Sequence, residues 1–133
     1  MDDGLVRIAE RCLRGAEDRT MDFPGIVGTL MAAGFESYAI DFRRGTAIYY
    51  RPDGDSVALD AHRVEGAVAE RFDTAAMRDA IREAQANRPG YSYAGFCRKA
   101  LAAGCAGYLV SFIGRRAVYF GRTGETHVEA FPQ

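Results

Sequence analysis

Sliding the chain by 70 residues lays one stretch of it on another, and this constrains the fold more than any other feature of the sequence. Gly25 meets Gly95, Ala32-Ala33-Gly34 meets Ala102-Ala103-Gly104, and Tyr38 meets Tyr108. Phe42, Ala47, Tyr49 and Gly54 then meet Phe112, Ala117, Tyr119 and Gly124. The 33 ungapped pairs between 23–55 and 93–125 thus hold nine identities; ordinary composition would give about two or three. Ile40 with Val110, Ile48 with Val118 and Tyr50 with Phe120 are close replacements. Self-similarity at a constant offset points to one supersecondary unit used twice.

Each copy reads alike. Asp22 and Ser92 stand where an N-cap acceptor is needed, and Pro24 sits in a first helical turn, where a missing N–H is harmless. Apolar residues follow at helical spacing: Phe23, Ile26, Val27, Leu30 and Met31, then Tyr93, Phe96, Cys97, Ala100 and Leu101. Gly34 and Gly104 supply the left-handed residue that ends a helix. The period then changes to two. Tyr38, Ile40 and Phe42 share a face, as do Tyr108, Val110 and Phe112. Arg44-Gly45 and Gly114-Arg115 mark tight turns into strands at 46–51 and 116–121. Third strands follow at 55–59 and 125–130. A helix precedes each copy, one carrying Leu5, Ile8, Ala9, Cys12 and Leu13, the other carrying Met77, Ala80, Ile81 and Ala84. The second of these begins at Asp73 or Thr74 and ends before Pro89-Gly90. The expectation is an α+β fold in which a helix-helix-strand-strand-strand unit is duplicated and antiparallel hairpins pack on helices. Repeat one covers 4–63, a join anchored by Val64, Val68 and Phe72 covers 64–73, and repeat two covers 74–133. Residues 1–133 form a single pseudo-twofold domain, because half of the chain is too small to cover its own sheet.

Composition narrows the function classes. The 17 basic and 18 acidic residues give a net charge of -1, which lacks the basic surplus that displaces phosphate counterions and argues against nucleic acid. Residues 91–133 do hold five basic and two acidic side chains, leaving room for a small basic patch there. The uncharged stretch 100–114 is too short and too broken to span a membrane. Three cysteines (Cys12, Cys97 and Cys105) and the acidic start Met1-Asp2-Asp3-Gly4 are expected of a soluble, cytoplasmic, reduced protein.

The segments FESYAIDFRRGTAIYYRPDGDS (35–56), YSYAGFCRKALAAGCAGYLVSF (91–112) and GRRAVYFGRTGETHVEAFP (114–132) resemble the YbcV/YdfO-like family. These are uncharacterised bacterial proteins, often prophage-encoded and some labelled phage envelope protein. The resemblance runs from about residue 20 to residue 132 and implies a prophage-type origin. It carries no activity, cofactor or catalytic residue onto this chain.

Motifs for chemistry are absent from the sequence: no nucleophile elbow, no phosphate-binding glycine loop, no H-E-x-x-H pair. Cys97 lies on an apolar helical face and reads as core rather than nucleophile. His127 between Glu125 and Glu129 has permissible strand geometry for a metal, yet three alternating polar residues are more commonly the wet side of a strand, so no metal and no cofactor are expected; His62 has no partner in the repeat. The residues expected to face away from the helices are Asp41, Arg43, Tyr49 and Arg51, with Ser111, Ile113, Tyr119 and Gly121 as counterparts. From these and Arg115, the candidate binding surface is Asp41, Arg43, Tyr49, Ser111, Arg115 and Tyr119, with no catalytic residue among them. The leading expectation is a non-enzymatic protein-binding or regulatory module of prophage-type origin. It would meet a protein partner or a second copy of itself as a homodimer, with no membrane contact. The alternative is a small-ligand sensor or enzyme using the polar sheet face. A concave pocket with convergent polar groups would favour the alternative, and a flat apolar sheet face would favour the first.

Overall fold

The computed structural model describes residues 1–132. Helix α1 (Asp3–Asp18) leads into α2 (Phe23–Ala32) and strands β1 (Ser37–Asp41), β2 (Thr46–Tyr50) and β3 (Ser56–Asp60). The same order recurs as α3 (Thr74–Ala86), α4 (Tyr93–Ala102), β4 (Cys105–Ser111), β5 (Arg116–Gly121) and β6 (Thr126–Ala130). Local chemistry sets these boundaries. Asp22 Oδ1 accepts the Gly25 N–H at 2.9 Å, and Ser92 Oγ accepts the Gly95 N–H at 3.0 Å, so the same orphan amide is capped in both halves. Asp73 Oδ1 caps α3 through the Ala76 N–H. Gly34 (φ 90°) and Gly104 (φ 86°) close α2 and α4, donating to the carbonyls of Met31 and Leu101.

The six strands form one antiparallel sheet in the order β3-β2-β1-β4-β5-β6. Its registers repeat at the 70-residue offset. Tyr38 opposes Tyr49 as Tyr108 opposes Tyr119, and Ile48 opposes Ala58 as Val118 opposes Val128. Across the centre, Tyr38 opposes Val110 and Ile40 opposes Tyr108; the offset exchanges these two pairs. An approximate twofold axis therefore passes through the sheet at the Ala39–Leu109 pair.

All four helices cover one face. The buried cluster joins Ile26, Leu30, Met77 and Phe96 to Ile40, Val110 and Phe112 of the strands and their ends. α1 packs on α2 and also on α4, which ties the halves together. Removing Leu30 and Met77 from water contributes about 1.5–3 kcal/mol each. The join passes beneath α4, where the Ala69 and Asp73 N–H groups donate to the carbonyls of Leu101 and Ala103. Val68 and Phe72 are buried and Val64 is half-buried, as expected of anchors.

One assignment is corrected. Tyr49 and Tyr119 were expected on the helix-free face, but they are only 3% and 8% exposed and lie under the helices. Directly opposed residues of an antiparallel pair share a face, so Tyr49 sits beside Tyr38 and Tyr119 beside Tyr108. The four-residue turn 42–45 sets this phase, and turn 112–115 repeats it. Arg51 also folds back, donating to the Ala33 carbonyl at 2.8 Å. The helix-free face instead carries a row across all six strands: Ala58, Ile48, Ala39, Leu109, Val118 and Val128.

Candidate functional site

Between the helix layer and the inner face of the sheet lies a cavity of about 710 Å3. Its floor comes from β1, β4 and β5 through Tyr38, Tyr108, Val110, Ala117 and Tyr119. The α1–α2 connection, the end of α3 and the start of α4 form its walls, and Glu129 to Pro132 close one side. It includes paired positions from both halves, Phe23 with Tyr93 and Ile26 with Phe96. From the outer hairpins, though, it takes Ala117 and Tyr119 without Ala47 and Tyr49, so it is displaced toward the second half.

Four tyrosines run across the floor of the sheet. Ring centroids are 5.5 Å apart from Tyr49 to Tyr38, 6.4 Å from Tyr38 to Tyr108 and 5.2 Å from Tyr108 to Tyr119. These separations are normal for interacting aromatic rings. Tyr49 is shut off from the cavity beneath Phe35, at 6.2 Å and edge-on. From above, the Tyr93 hydroxyl meets the Tyr108 hydroxyl at 2.7 Å, either one donating. The hydroxyls of Tyr38 and Tyr119 make no hydrogen bond to a described residue. Among the described residues no side-chain polar atom is both sealed from solvent and unpartnered. Because both side chains line the cavity, their free hydroxyls open into it.

One charged group of the lining, Glu129, lies on β6. His127 and Glu129 sit on its inner face, opposite Tyr119 and Ala117 respectively, and His127 Nε2 lies 2.9 Å from Glu129 Oε2. The equivalent residues of β3 are Val57 and Leu59. This exchange of an apolar pair for a hydrogen-bonded polar pair is the largest chemical difference between the two sheet halves. By its local pattern His127 reads only as a metal ligand or the wet side of a strand. Laying Val57-Leu59 on His127-Glu129 at the 70-residue offset was the signal that could have found it. Tyr91 and Tyr93 were also missed as site residues.

At the mouth, Arg19 Nη2 donates to Asn87 Oδ1 at 3.0 Å and to the Arg88 carbonyl at 3.4 Å. The Arg19 guanidinium lies 5.6 Å from the centre of the Tyr91 ring, in range of a cation–π contact. Burial drives the phenols of Tyr38, Tyr93, Tyr108 and Tyr119 well above the ordinary tyrosine range. Tyr91 is pushed up to about 12 by burial, with Arg19 pulling it back. The site therefore offers neutral hydroxyls that can donate or accept. Burial likewise raises the thiols of Cys97 and Cys105, to about 12 and about 11, and raises Cys12. These are buried thiols, without the lowered pKa of a nucleophile. Among the described residues no three His, Cys, Asp or Glu side chains gather closely enough to hold a metal ion; Glu125 lies just before β6.

The other sequence-derived candidates do not converge. Asp41 Oδ1 accepts the N–H groups of Arg43 and Arg44, and Ser111 Oγ accepts that of Gly114, so both serve their hairpin turns. Arg43 is exposed in the first turn and Arg115, at φ 52°, is exposed in the second. Because β1 and β4 run antiparallel, these turns lie at opposite ends of the sheet. No helix of the described residues is long and apolar enough to cross a membrane.

The profile of a family described as protein of unknown function (DUF1398) matches residues 13–129. No curated protein matches the chain.

Proposed function

We propose that this chain, which belongs to the DUF1398 family of proteins of unknown function, holds a small, largely apolar organic molecule between its helices and its sheet. The cavity carries this reading. Its volume of about 710 Å3 lies within the roughly 300–1,000 Å3 typical of ligand sites. Aromatic rings line it, with a few polar groups set among them, including Glu129 and the Tyr38 and Tyr119 hydroxyls, the usual division between affinity and orientation. The reading is of a binding or sensing module, since no activated nucleophile is among the residues brought together. The two halves are read as products of an internal duplication, and the YbcV/YdfO-like resemblance as a prophage-type origin. Three unbridged thiols support a reducing cytoplasm as its location.

The test is titration of the full chain with indole, followed by NMR. Resonances of Tyr91, Tyr93, Phe96 and Tyr119 are expected to shift together. Replacing Ala84, which lines the wall, by Trp (Ala84→Trp) should fill the cavity and abolish those shifts while the remaining spectrum stays folded. Absence of shifts in the unmodified chain, or binding unchanged by Ala84→Trp, overturns the reading.

A second reading rests on the opposite face. Leu109 and Val128, 39% and 49% exposed, lie in the apolar row that crosses the six strands. Such a row supports contact with a protein, including a second copy of the chain.

A further inference from the structure

Resting on the proposed binding function, we infer that the cavity selects an organic cation: an ammonium or quaternary ammonium group carried on an apolar or aromatic body. The charge would sit at Glu129 and Tyr119, and the body over Tyr93, Phe96 and Tyr108. Four observations converge on this chemistry.

First, the lining is rich in tyrosine and phenylalanine rings, whose faces are negative. Second, the charged groups of the lining are Arg19, Asp22 and Glu129. Asp22 caps α2, and Arg19 is held by Asn87 and the Arg88 carbonyl. Among the described residues Glu129 meets only His127, through Oε2, and a carboxylate has acceptor capacity on both oxygens. Asp22 likewise keeps one oxygen free, but Asp22 is exposed whereas Glu129 is half-buried, so the second oxygen of Glu129 is the shielded anionic acceptor of the site. Third, the residue opposite Glu129 is Ala117, which leaves space above the carboxylate, while Tyr119 lies diagonally across the pair. That diagonal spans about 7–8 Å between backbone positions, within reach of two long side chains. Fourth, the protein already seats a cation of its own on the rim, the Arg19 guanidinium over the Tyr91 ring. The carboxylate is also specific to this half. Leu59, at the matching place on β3, offers no charge, and there Tyr49 is covered by Phe35.

The experiment compares phenyltrimethylammonium with tert-butylbenzene, its uncharged carbon isostere, on the full chain, with affinities from NMR titration. The cation is expected to bind at least about tenfold more tightly, a difference of about 1.4 kcal/mol. In Glu129→Gln that preference should vanish while the affinity for tert-butylbenzene stays within about twofold. If Glu129→Gln does not fold, Glu129→Leu, which copies Leu59, replaces it as the uncharged variant. Equal or tighter binding of tert-butylbenzene by the unmodified chain overturns the cation inference and leaves the cavity reading standing. A cation preference that survives loss of the carboxylate also overturns it. Binding of neither probe overturns both.

Discussion

The two halves of this molecule share a backbone plan and differ in what they enclose. Both present capped helices, a glycine stop and three strands in the same register. In the first half, Phe35 covers Tyr49, Arg51 binds the end of α2, and the edge strand turns Val57 and Leu59 inward. In the second, Cys105 stands in place of Phe35, Gly121 in place of Arg51, and His127 with Glu129 in place of the apolar pair. The connection between helices is also longer, residues 87–92 against residues 19–22. Strand register depends on turn length and on which face is buried, and both are alike in the two halves. Side chains on that face can therefore diverge without disturbing the ladder. The outer hairpin of the first half is filled, and that of the second borders the cavity.

Alkaline pH should reveal the largest effect of this division. The buried phenols have folded-state pKa values raised above the ordinary 10.0. In the unfolded chain they lose protons first, so their contribution is complete below pH 10 and is lost as pH rises toward the folded values. Each such tyrosine removes about 1.4 kcal/mol per pH unit in that window. Cooperative unfolding is expected between about pH 10 and pH 12, with phenolate absorbance and circular dichroism changing together. Four of the six tyrosines lie in the second half: Tyr91, Tyr93, Tyr108 and Tyr119. Gradual phenolate formation in a chain that stays folded would show that burial does not hold these phenols neutral and that the comparison is misdrawn.

Next in size is a difference between matched glycines. Gly34 and Gly104 both have positive φ, where a Cβ is strained by about 1–2 kcal/mol. At Gly34 the nearest atoms to an added Cβ would be those of the flexible Arg51 guanidinium, at 3.0 Å. At Gly104 it would come closer than 3.0 Å to the carbonyl of Arg71, where the join passes. Gly34→Ala should cost about 1–2 kcal/mol, and Gly104→Ala about 1–3 kcal/mol more from the forced backbone shift. Urea denaturation of the two variants checks this; equal losses would mean that the join yields freely.

Helix boundaries, strand order within each hairpin and the core of β1 and β4 were legible because local signals agree there. Asp22, Ser92, Gly34 and Gly104 each have one conformational use, and the 70-residue offset supplied a second copy of the evidence. The facing of β2 and β5 was not legible in the same way. An alternating strand has two phases, and the choice depends on turn length: Arg44-Gly45 announces a turn without stating that four residues intervene. The opposite phase would turn Tyr49 and Tyr119 to the surface and break the tyrosine row. The cavity could not be read at all, since it depends on where the helix pairs rest on the sheet. His127 and Glu129 were visible, but their burial follows from the register of β6 on β5, a nonlocal fact.

The smallest expected effect tests whether the polar pair serves the fold or the cavity. The double replacement His127→Val with Glu129→Leu copies Val57 and Leu59 into the second half and makes the two edge strands alike on their inner faces. Replacing a hydrogen-bonded polar pair by apolar residues is commonly neutral or stabilising, because desolvation of the polar groups offsets their attraction. His127 and Glu129 are only partly shielded, with side chains 12% and 27% exposed, so the gain belongs at the low end. Thermal melting should move by the equivalent of at most about 1 kcal/mol, and in the stabilising direction. If the fold loses nothing with the pair, Glu129, its member on the cavity wall, is free to serve what enters the cavity. A destabilisation above about 2 kcal/mol would instead make the pair part of the structural network, and the second half would then differ from the first in packing alone.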